Sequence, residues 1–408
     1  MRILVITQNY PPDLGAGAFR MKALVNELNL RGHKVTVLTG VPNRYDSVEW
    51  KSKNENAIER IVRIKVPKQK GNLFLRGVSY SIFFIKAFLK AIQLASDSDV
   101  IVATTPQLLV AYIGAIVSHK RKIPLILDVR DLWPDVMLDM NLTQDRSIIY
   151  KILKKIEFYC YKHADQIVIN SPAFFEPIKK LSGKEPILIT NGIDDKLFEL
   201  LSDATSTKKA ENEARYIITY AGNVGIAQDL DVLIKLAKEF EKKYIFRIIG
   251  DGSAKEKLIK SVTENKIQNI EFINPVPRKK LQQYHKETDA FFVHLKDIDM
   301  FKKTIPSKMF EYVATGKPVV YGLEGVSRTI MEELQGNLFS FKPSNPNSLK
   351  IALKELFYSL KENNYRNERG IALLKEKYLR SKLNENFSKI IEGCLKDDVE
   401  NNNNKELS

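Results

Sequence analysis

The stretch PSKMFEYVATGKPVV, residues 306–320, shows the local pattern that decides this fold: a helix entered through Pro and Ser, followed after Gly316 by an apolar strand. Backbone N–H groups at such an entrance, together with the positive helix end, favour phosphate oxygens. Lys308 adds a mobile positive charge, and the carboxylate of Glu311 suits the two hydroxyls of a ribose. Ser307, Lys308 and Glu311 are therefore predicted to bind a nucleotide diphosphate. The alternative is an ordinary helix whose Glu offsets the dipole and whose Lys is solvated.

The same helix–strand alternation runs through the rest of the chain. Continuous apolar strands separated by helices indicate parallel sheets covered on both faces. The pattern ends at residues 191–199, NGIDDKLFE, and restarts at Tyr216 after a charged run. We therefore predict two doubly wound, Rossmann-like α/β domains that face each other across a cleft. The predicted segments are 1–192 and 193–378 for the two domains, 379–396 for a C-terminal helix packing back toward the first domain, and 397–408 for a disordered tail.

Length and charge limit the classes of protein to which the chain can belong. A chain of 408 residues is too long for a single hydrophobic core, and a content of 44% hydrophobic residues suffices for globular folding. The excess of 64 Lys and Arg over 49 Asp and Glu gives a net charge of +15, which favours anionic partners such as nucleotides, diphosphates or an acidic membrane surface. The basic residues follow no nucleic-acid-binding module, so no nucleic-acid partner is predicted.

The cysteines and the N-terminus point to a reducing compartment without export. Cys160 and Cys394 are far apart and lack a C-x-x-C pattern, which argues against a disulfide framework or a zinc site. The opening MRILVITQNYPP resembles a first β-strand and not a signal peptide. The five histidines show no metal-ligand spacing, and Asp297-x-Asp299 is interpreted as a solvated turn, so no metal is expected.

The most apolar stretch, residues 78–95, is too short and too charged to span a membrane, since it carries Lys86 and Lys90. It fits either of two roles. Phenylalanines and cations over residues 68–90 could lean on an anionic membrane surface. Alternatively, this is a core helix with snorkelling lysines.

Three glycine-bearing turns follow predicted strands. Gly15 and Gly17 precede the first helix, Gly222 and Asn223 follow the first strand of the second half, and Asp251 and Gly252 follow the next strand. Such turns let the backbone approach a diphosphate closely, although tight turns use glycine for conformational reasons as well. A nicotinamide fingerprint would need an acid about 20 residues further on, and residues 35–40, VTVLTG, offer none.

The ordered motifs as a set resemble those of the family 4 glycosyltransferases of the GT-B fold. They are ILVITQNYPPDLGAGAFR at the N-terminus, DVRDLWPD, TNGID, YAGNVG, GDG and PSKMFEYVATGKPVV. The nearest branch is that of capsule and O-antigen sugar transferases of the L-fucosamine type. The resemblance implies a retaining, metal-independent enzyme that moves a sugar, expected to be an N-acetylated amino or deoxy sugar, from a UDP-linked donor to a lipid-linked saccharide.

The resemblance also implies roles for residues. Glu311 holds the donor ribose, Lys308 and Asn223 face the diphosphate, Asp251 and Gly252 lie near the base, and the turn of Gly15 and Gly17 borders phosphate and acceptor. Two departures from the family pattern are clear. Lys303 stands where the E-x7-E signature has its first Glu, and Asn223 and Gln228 stand where an Arg and a Lys are common.

Arg130 and Asp131, at the end of a first-half strand, are predicted to meet the sugar or the acceptor and complete a catalytic set with Lys308. The alternative is an Arg–Asp pair that orders the loop beneath Trp133. Asp13 is a weaker candidate, because an Asp after two prolines commonly forms a turn.

These inferences define a cytoplasmic enzyme, peripheral on the inner face of a bacterial plasma membrane. Its predicted partners are a nucleotide sugar, a polyprenyl-diphosphate-linked saccharide and an anionic membrane surface, with no cofactor. The alternative is a non-catalytic subunit that binds a nucleotide sugar within a polysaccharide assembly complex, and Lys303 is the residue that favours it.

Overall fold

The chain forms two structural units in the computed structural model. Unit 1 comprises residues 1–191 and 380–408, and unit 2 comprises residues 192–379. The sequence analysis places these boundaries at residues 192 and 378. The structure describes residues 1–13, 15–41, 58–65, 73–105, 107–140, 142–203, 215–336, 338–362 and 365–406, with the backbone alone at 73–81, 83 and 396–406.

Unit 1 is built on a seven-stranded sheet whose neighbouring strands are all parallel. The strand order is β3-β2-β1-β4-β5-β6-β7, so the winding reverses between β1 and β4. The strands are β1 (Arg2–Ile6), β2 (Lys34–Gly40), β3 (Arg60–Ile64), β4 (Val100–Thr104), β5 (Leu125–Val129), β6 (Gln166–Ile169) and β7 (Ile187–Leu188).

Helices cover both faces of this sheet. They are α1 (Ala16–Leu30), α2 (Leu73–Ala95), α3 (Leu108–Arg121), α4 (Asp135–Asp139), α5 (Ile148–His163) and α6 (Phe175–Ser182). Successive strand side chains point to opposite faces, so Leu4 and Ile6 pack under α2, α3 and α5 while Ile3 and Val5 pack under α1. This burial on both sides explains why the strands are continuously apolar.

Unit 2 repeats the architecture on a five-stranded parallel sheet of order β10-β9-β8-β11-β12, which reverses between β8 and β11. Its strands are β8 (Tyr216–Ala221), β9 (Tyr244–Ile249), β10 (Ile270–Ile273), β11 (Ala290–His294) and β12 (Val319–Gly322). Its helices are α7 (Asp195–Ser202), α8 (Asp231–Ala237), α9 (Lys255–Glu264), α10 (Arg278–Glu287), α11 (Asp299–Lys302), α12 (Lys308–Ala314), α13 (Val326–Gln335), α14 (Pro346–Lys361) and α15 (Glu368–Leu373).

The C-terminal helix α16 (Arg380–Glu406) returns to unit 1 and packs on α1. Phe387 and Ile391 of α16 join the core beneath α1, and Glu392 accepts two hydrogen bonds of 2.7 Å from the Arg31 guanidinium. The helix continues through residues 397–406, where the polar composition predicts a disordered tail. A helix satisfies its backbone hydrogen bonds internally, so a polar sequence is compatible with this continuation.

The apolar stretch of residues 78–95 belongs to α2. Phe84 and Phe88 pack against the core of unit 1, while Lys86 is exposed. Lys68 and Lys70 lie outside the described residues. No helix within the described parts of the chain combines the length and apolarity that spanning a bilayer requires.

Candidate functional site

The site in unit 2 lies at the carboxyl ends of β8 and β9, where two glycine turns press against each other. Gly222 and Gly250 have φ values of 145° and 146°, which favour glycine. A Cβ on Gly250 would lie 1.9 Å from the Gly222 carbonyl oxygen, and one on Gly252 would lie 2.5 Å from that of Val224. The turns that the sequence analysis treats separately therefore form one surface whose contacts require glycine.

Lys308, the first residue of α12, brings its ammonium group to this surface. Its Nζ donates a hydrogen bond of 2.6 Å to the Tyr220 hydroxyl and lies 4.0 Å from the centre of the Tyr220 ring. A Cβ on Gly222 would lie only 2.4 Å from the same Nζ. The structure thus unites Lys308 with the Gly222 turn, as expected if both contact one anion.

Two tyrosines that the sequence analysis does not single out hold this arrangement. The Tyr220 hydroxyl donates to the Asn223 carbonyl oxygen at 2.5 Å. The Tyr312 hydroxyl, one turn after Lys308, accepts from the Ala221 backbone N–H at 2.9 Å and donates to the Ala221 carbonyl at 3.1 Å. Both tyrosines are buried, so they fix α12 against the end of β8. The sequence signal that could have found Tyr312 is its position four residues after Lys308, which places both side chains on the same side of α12.

Burial lowers the pKa of Lys308 to about 7, and the negative charge of Glu311 opposes that shift. Near neutral pH the side chain is consequently a mixture of amine and ammonium. A bound diphosphate would favour the ammonium, since an opposite charge stabilises the protonated form of a lysine. Lys308 is therefore poised to take up a proton when an anion binds beside Gly222.

Four further residues of the predicted donor site belong to unit 2, whereas Gly15 and Gly17 belong to unit 1. Ser307 caps α12 without a side-chain capping bond, and Glu311 is half-buried in the first turn. Asp251 is exposed in the second glycine turn. Asn223 donates its side-chain amide to Gln228 at 3.1 Å, so the two positions where the family commonly has cations satisfy each other instead.

The candidate site in unit 1 lies between the loop after β5 and the start of α1. A Cβ on Gly17 would lie 2.3 Å from Nη1 of Arg130, so the absence of a side chain at Gly17 lets the guanidinium lie against α1. The Arg130 backbone N–H donates to the Thr105 hydroxyl at 2.7 Å. Its Nε has no hydrogen-bond partner among the residues that the structure describes. Gly15 caps α1 with an extended backbone, a conformation that any residue can adopt.

Burial also shifts both charged groups of this loop. It lowers the pKa of Arg130, and it raises the pKa of Asp131 to about 6 although the Arg130 charge opposes that rise. Charged groups with shifted pKa values are typical of functional sites as well as of buried ion networks. The geometry is that of an arginine held over a helix entrance, with an acid beside it.

Arg20, at the position of a third fingerprint glycine, has a structural task. Its guanidinium forms a bidentate pair with the Asp128 carboxylate at 3.0 and 3.2 Å and donates to the Ile189 and Thr190 carbonyl oxygens at 2.9 and 3.0 Å. Asp128 is fully buried. The pair ties α1 to β5 directly beneath Arg130, and sequence reasoning missed it because the two residues are distant in the chain.

Two further acidic residues of the sequence analysis have local partners. Asp13 is buried and accepts a hydrogen bond of 3.3 Å from the Tyr10 backbone N–H, as a turn-forming Asp does. Asp299 pairs with Lys302 at 2.7 Å on the surface of α11. The sequence analysis expects a solvated turn here, and the structure instead places the exposed Asp299 at the start of a short helix.

The two doubly wound units define the GT-B class of glycosyltransferases, and comparisons with known proteins agree. Residues 18–197 match the family described as Glycosyltransferase Family 4, and residues 202–372 match the one described as Glycosyl transferases group 1. Together these matches cover most of the chain. The protein is a glycosyltransferase and belongs to family 4.

Individual relatives are distant. The putative colanic acid biosynthesis glycosyl transferase WcaI of Escherichia coli is 24% identical over 94% of this chain and 99% of its own length. The probable glycosyltransferase WbjE of Pseudomonas aeruginosa is 25% identical over 72% of this chain and 74% of its own. Among solved structures, Anabaena HepE in complex with UDP superimposes with a TM-score of 0.71 at 16% identity, covering 96% of this chain and 100% of that chain.

Proposed function

We propose that this glycosyltransferase transfers a sugar from a UDP-linked donor to a lipid-linked saccharide in capsule or O-antigen biosynthesis, with retention at the anomeric carbon. The observation that carries the proposal is the Lys308 ammonium held against the Gly222 turn at the end of β8. The names of the relatives support the setting, since WcaI is named for colanic acid biosynthesis. HepE, whose fold this chain shares, has been crystallised with UDP and with UDP-glucose.

The proposed chemistry is electrostatic. Cleaving a sugar from a diphosphate leaves negative charge on the departing oxygen, and a preorganised cation is worth most where that charge develops. Lys308 supplies this cation, and the exposed backbone of Gly222 and Asn223 lets the phosphates approach. Glu311 binds the donor ribose in this proposal, while Asp251 and Gly252 border the base. No metal is assigned a role.

Arg130 and Asp131 are proposed to contact the sugar or the acceptor hydroxyl from unit 1. The Arg130 guanidinium lies against Gly17 at the start of α1, and Asp131 is half-buried beside it. An arginine of this kind suits a phosphate or a sugar hydroxyl, because its planar fork has several donors. We assign no covalent nucleophile. The donor sugar is proposed to be an N-acetylated amino or deoxy sugar, and the enzyme to act at the cytoplasmic face of the membrane.

The decisive test is turnover. A panel of radiolabelled UDP-sugars is incubated with the enzyme and a polyprenyl-diphosphate-linked saccharide, and lipid-linked label is counted. We expect one donor to be transferred, with strong loss of transfer for Glu311→Ala and Lys308→Met. Lys260→Met is the matched control, because Lys260 is an exposed lysine of α9. Failure of every UDP-sugar to bind or react would refute the proposal.

A second candidate function is a non-catalytic subunit that binds the donor. Lys303 favours it, since it occupies the place of the first family Glu. Nucleotide-sugar binding that raises the melting temperature and is lost in Lys308→Met, without transfer to any acceptor of the panel, would support this candidate instead.

A further inference from the structure

The segment that follows the Gly222 turn is tied to that turn by one side chain. Residues 225–229 contain a single turn of 3-10 helix. The side-chain oxygen of Gln228 accepts hydrogen bonds of 3.1 Å from the Gly225 backbone N–H and from the Asn223 amide. The place of Gln228 therefore fixes Asn223 and, through it, the backbone beside Gly222.

His294, the last residue of β11, holds this segment from the sheet. Its Nδ1 lies 3.1 Å from the Gln228 carbonyl oxygen and 3.3 Å from that of Asp229. The Lys296 backbone N–H adds a bond of 2.9 Å to the Ala227 carbonyl oxygen. Because carbonyl oxygens only accept hydrogen bonds, Nδ1 of His294 carries a proton and donates it.

The other ring nitrogen of His294 has the opposite role. The Ser344 backbone N–H donates to Nε2 at 2.9 Å, and the Ser344 hydroxyl donates to the Asp229 carboxylate at 2.6 Å. Only a neutral imidazole donates at one nitrogen and accepts at the other. Burial lowers the pKa of His294, although the Asp229 charge opposes that shift, so the neutral form is favoured. His294, Asp229 and Ser344 thus form a closed ring of hydrogen bonds.

The backbone and the packing around this ring are both constrained. Asp229 and Ser344 have φ values of 41° and 56°, which residues with side chains rarely adopt unless their surroundings hold them. The imidazole is only 1% exposed and packs 5.3 Å from the Phe341 ring. A Cβ on Gly322 would lie 2.7 Å from Cδ2 of His294. The imidazole consequently has little room to reorient.

A buried polar side chain can also be purely structural, since most of them simply satisfy backbone groups. Asn269 is such a group in the same sheet. It directly precedes β10, at the amino ends of the strands, and donates to the Ala237 and Tyr244 carbonyl oxygens at 2.8 and 3.1 Å. His294 does similar work at the carboxyl ends, where ligands of such sheets bind. The two residues therefore form a matched pair that differs in distance from the candidate site.

We propose that His294 is a positioning residue for donor binding. Its Nδ1–H sets the Gln228 carbonyl, and the Gln228 side chain in turn presents the backbone of Gly222 and Asn223 to the diphosphate. This placement matters because Asn223 and Gln228 stand where the family commonly has cations, so backbone N–H groups and Lys308 carry more of the phosphate contacts. The inference rests on the proposed function for its consequence, donor binding, whereas the hydrogen bonds exist without a donor.

Two substitutions separate the two ring nitrogens. His294→Gln places an amide oxygen near the position of Nε2 and loses the donor at Nδ1, whereas His294→Asn keeps an amide donor near Nδ1 and loses the acceptor. Hydrogen–deuterium exchange of the full chain without nucleotide reads out both bonds. In His294→Gln we expect the amides of residues 225–229 to exchange roughly 5-fold faster while the Ser344 amide stays protected, because one hydrogen bond is lost. His294→Asn should show the reverse pattern.

Titration of UDP then tests the consequence for the donor. His294→Gln should raise the dissociation constant roughly 10-fold, since displaced backbone donors lose hydrogen bonds to a charged group. His294→Asn should restore most of the affinity. Asn269→Ala should lower the melting temperature and leave UDP affinity at the parent value, because its bonds lie at the opposite edge of the sheet.

Gln228→Ala extends the test to a variant that leaves the buried imidazole in place. It should weaken UDP binding like His294→Gln with little change in melting temperature, and the double variant should show no further loss, since both act through one path. Parent-like UDP affinity of Gln228→Ala would overturn the proposal even where the His294 variants fail to fold.

Two other results would also overturn it. One is unchanged exchange of residues 225–229 in His294→Gln, and the other is an equal loss of UDP affinity in His294→Gln and Asn269→Ala. The expected exchange pattern in a parent protein that does not bind UDP would refute the donor proposal and support the ordering of the segment by His294.

Discussion

The sharpest prediction concerns the proton on Lys308. Because burial lowers the pKa of Lys308 to about 7, the unliganded side chain loses its charge as the pH rises above neutrality. A diphosphate binds best to the ammonium, so UDP affinity should fall with rising pH. Lys308→Met removes the titrating group while keeping a long side chain beside Tyr220, and it should bind UDP weakly without this pH dependence.

The magnitude follows from proton linkage. Each pH unit above the free pKa reduces the ammonium population about tenfold, which is ~1.4 kcal/mol of binding free energy. Between pH 7.5 and 9.5 the dissociation constant for UDP should therefore increase by up to about 100-fold. A phosphate monoester has its second pKa near ~6, so the terminal phosphate of UDP keeps its charge over this range. His285, whose burial lowers its pKa to about 4, stays neutral throughout.

The assay is isothermal titration of UDP into the full chain at pH 7.5, 8.5 and 9.5 and constant ionic strength. Lys260→Met serves as the control for general charge effects and should follow the parent. Heat measured in buffers of different ionisation enthalpy reports proton uptake near neutral pH, which should vanish in Lys308→Met. A dissociation constant that stays the same from pH 7.5 to 9.5 in the parent would refute the reasoning.

Three further predictions follow from the packing. Arg20→Ala leaves the buried Asp128 carboxylate without its cation and should lower the free energy of unfolding by ~3–5 kcal/mol. Tryptophan fluorescence in urea measures this change, because Trp133 belongs to unit 1. Gly17→Ala displaces the Arg130 guanidinium and should reduce transfer on the order of 10²-fold while leaving UDP affinity unchanged by titration. Glu392→Gln should lower the free energy of unfolding by roughly 1 kcal/mol at neutral pH. Hydrogen bonds from Arg31 and His33 lower the pKa of Glu392 to about 2. The stability difference between variant and parent should therefore shrink as the pH falls from about 4 toward 2, which melting curves at several pH values measure.

The fold was largely predictable because its signals are local. Buried parallel strands such as β4 and β5 are continuous apolar runs, and each is followed by a segment with helical spacing. Winding reverses next to β1 and β8, and ligands of such sheets bind at the strand ends beside the reversal, so the glycine turns there remain the predicted ligand site. The comparisons confirm the GT-B fold and the glycosyltransferase class.

The candidate site was predictable in its residues but not in its contacts. Lys308 and Gly222 were identified separately, one from a helix start and one from a turn, and no pattern joined them. Tyr220 was not singled out, and Arg20 was noticed only as the residue in place of a third fingerprint glycine, because neither sequence position indicates a partner. Their tasks depend on partners far away in the chain, Lys308 for the one and Asp128 for the other.

The sequence by itself determined the alternation of strand and helix, the positions of the glycine turns and the excess of positive charge. These properties depend on neighbours in the chain and on composition. The tertiary structure alone decided that Lys308 lies half-buried against the Gly222 turn, and that Arg20 pairs with the buried Asp128. Burial and charge proximity arise only when distant segments meet, and they set the pKa of a group and the surface it presents.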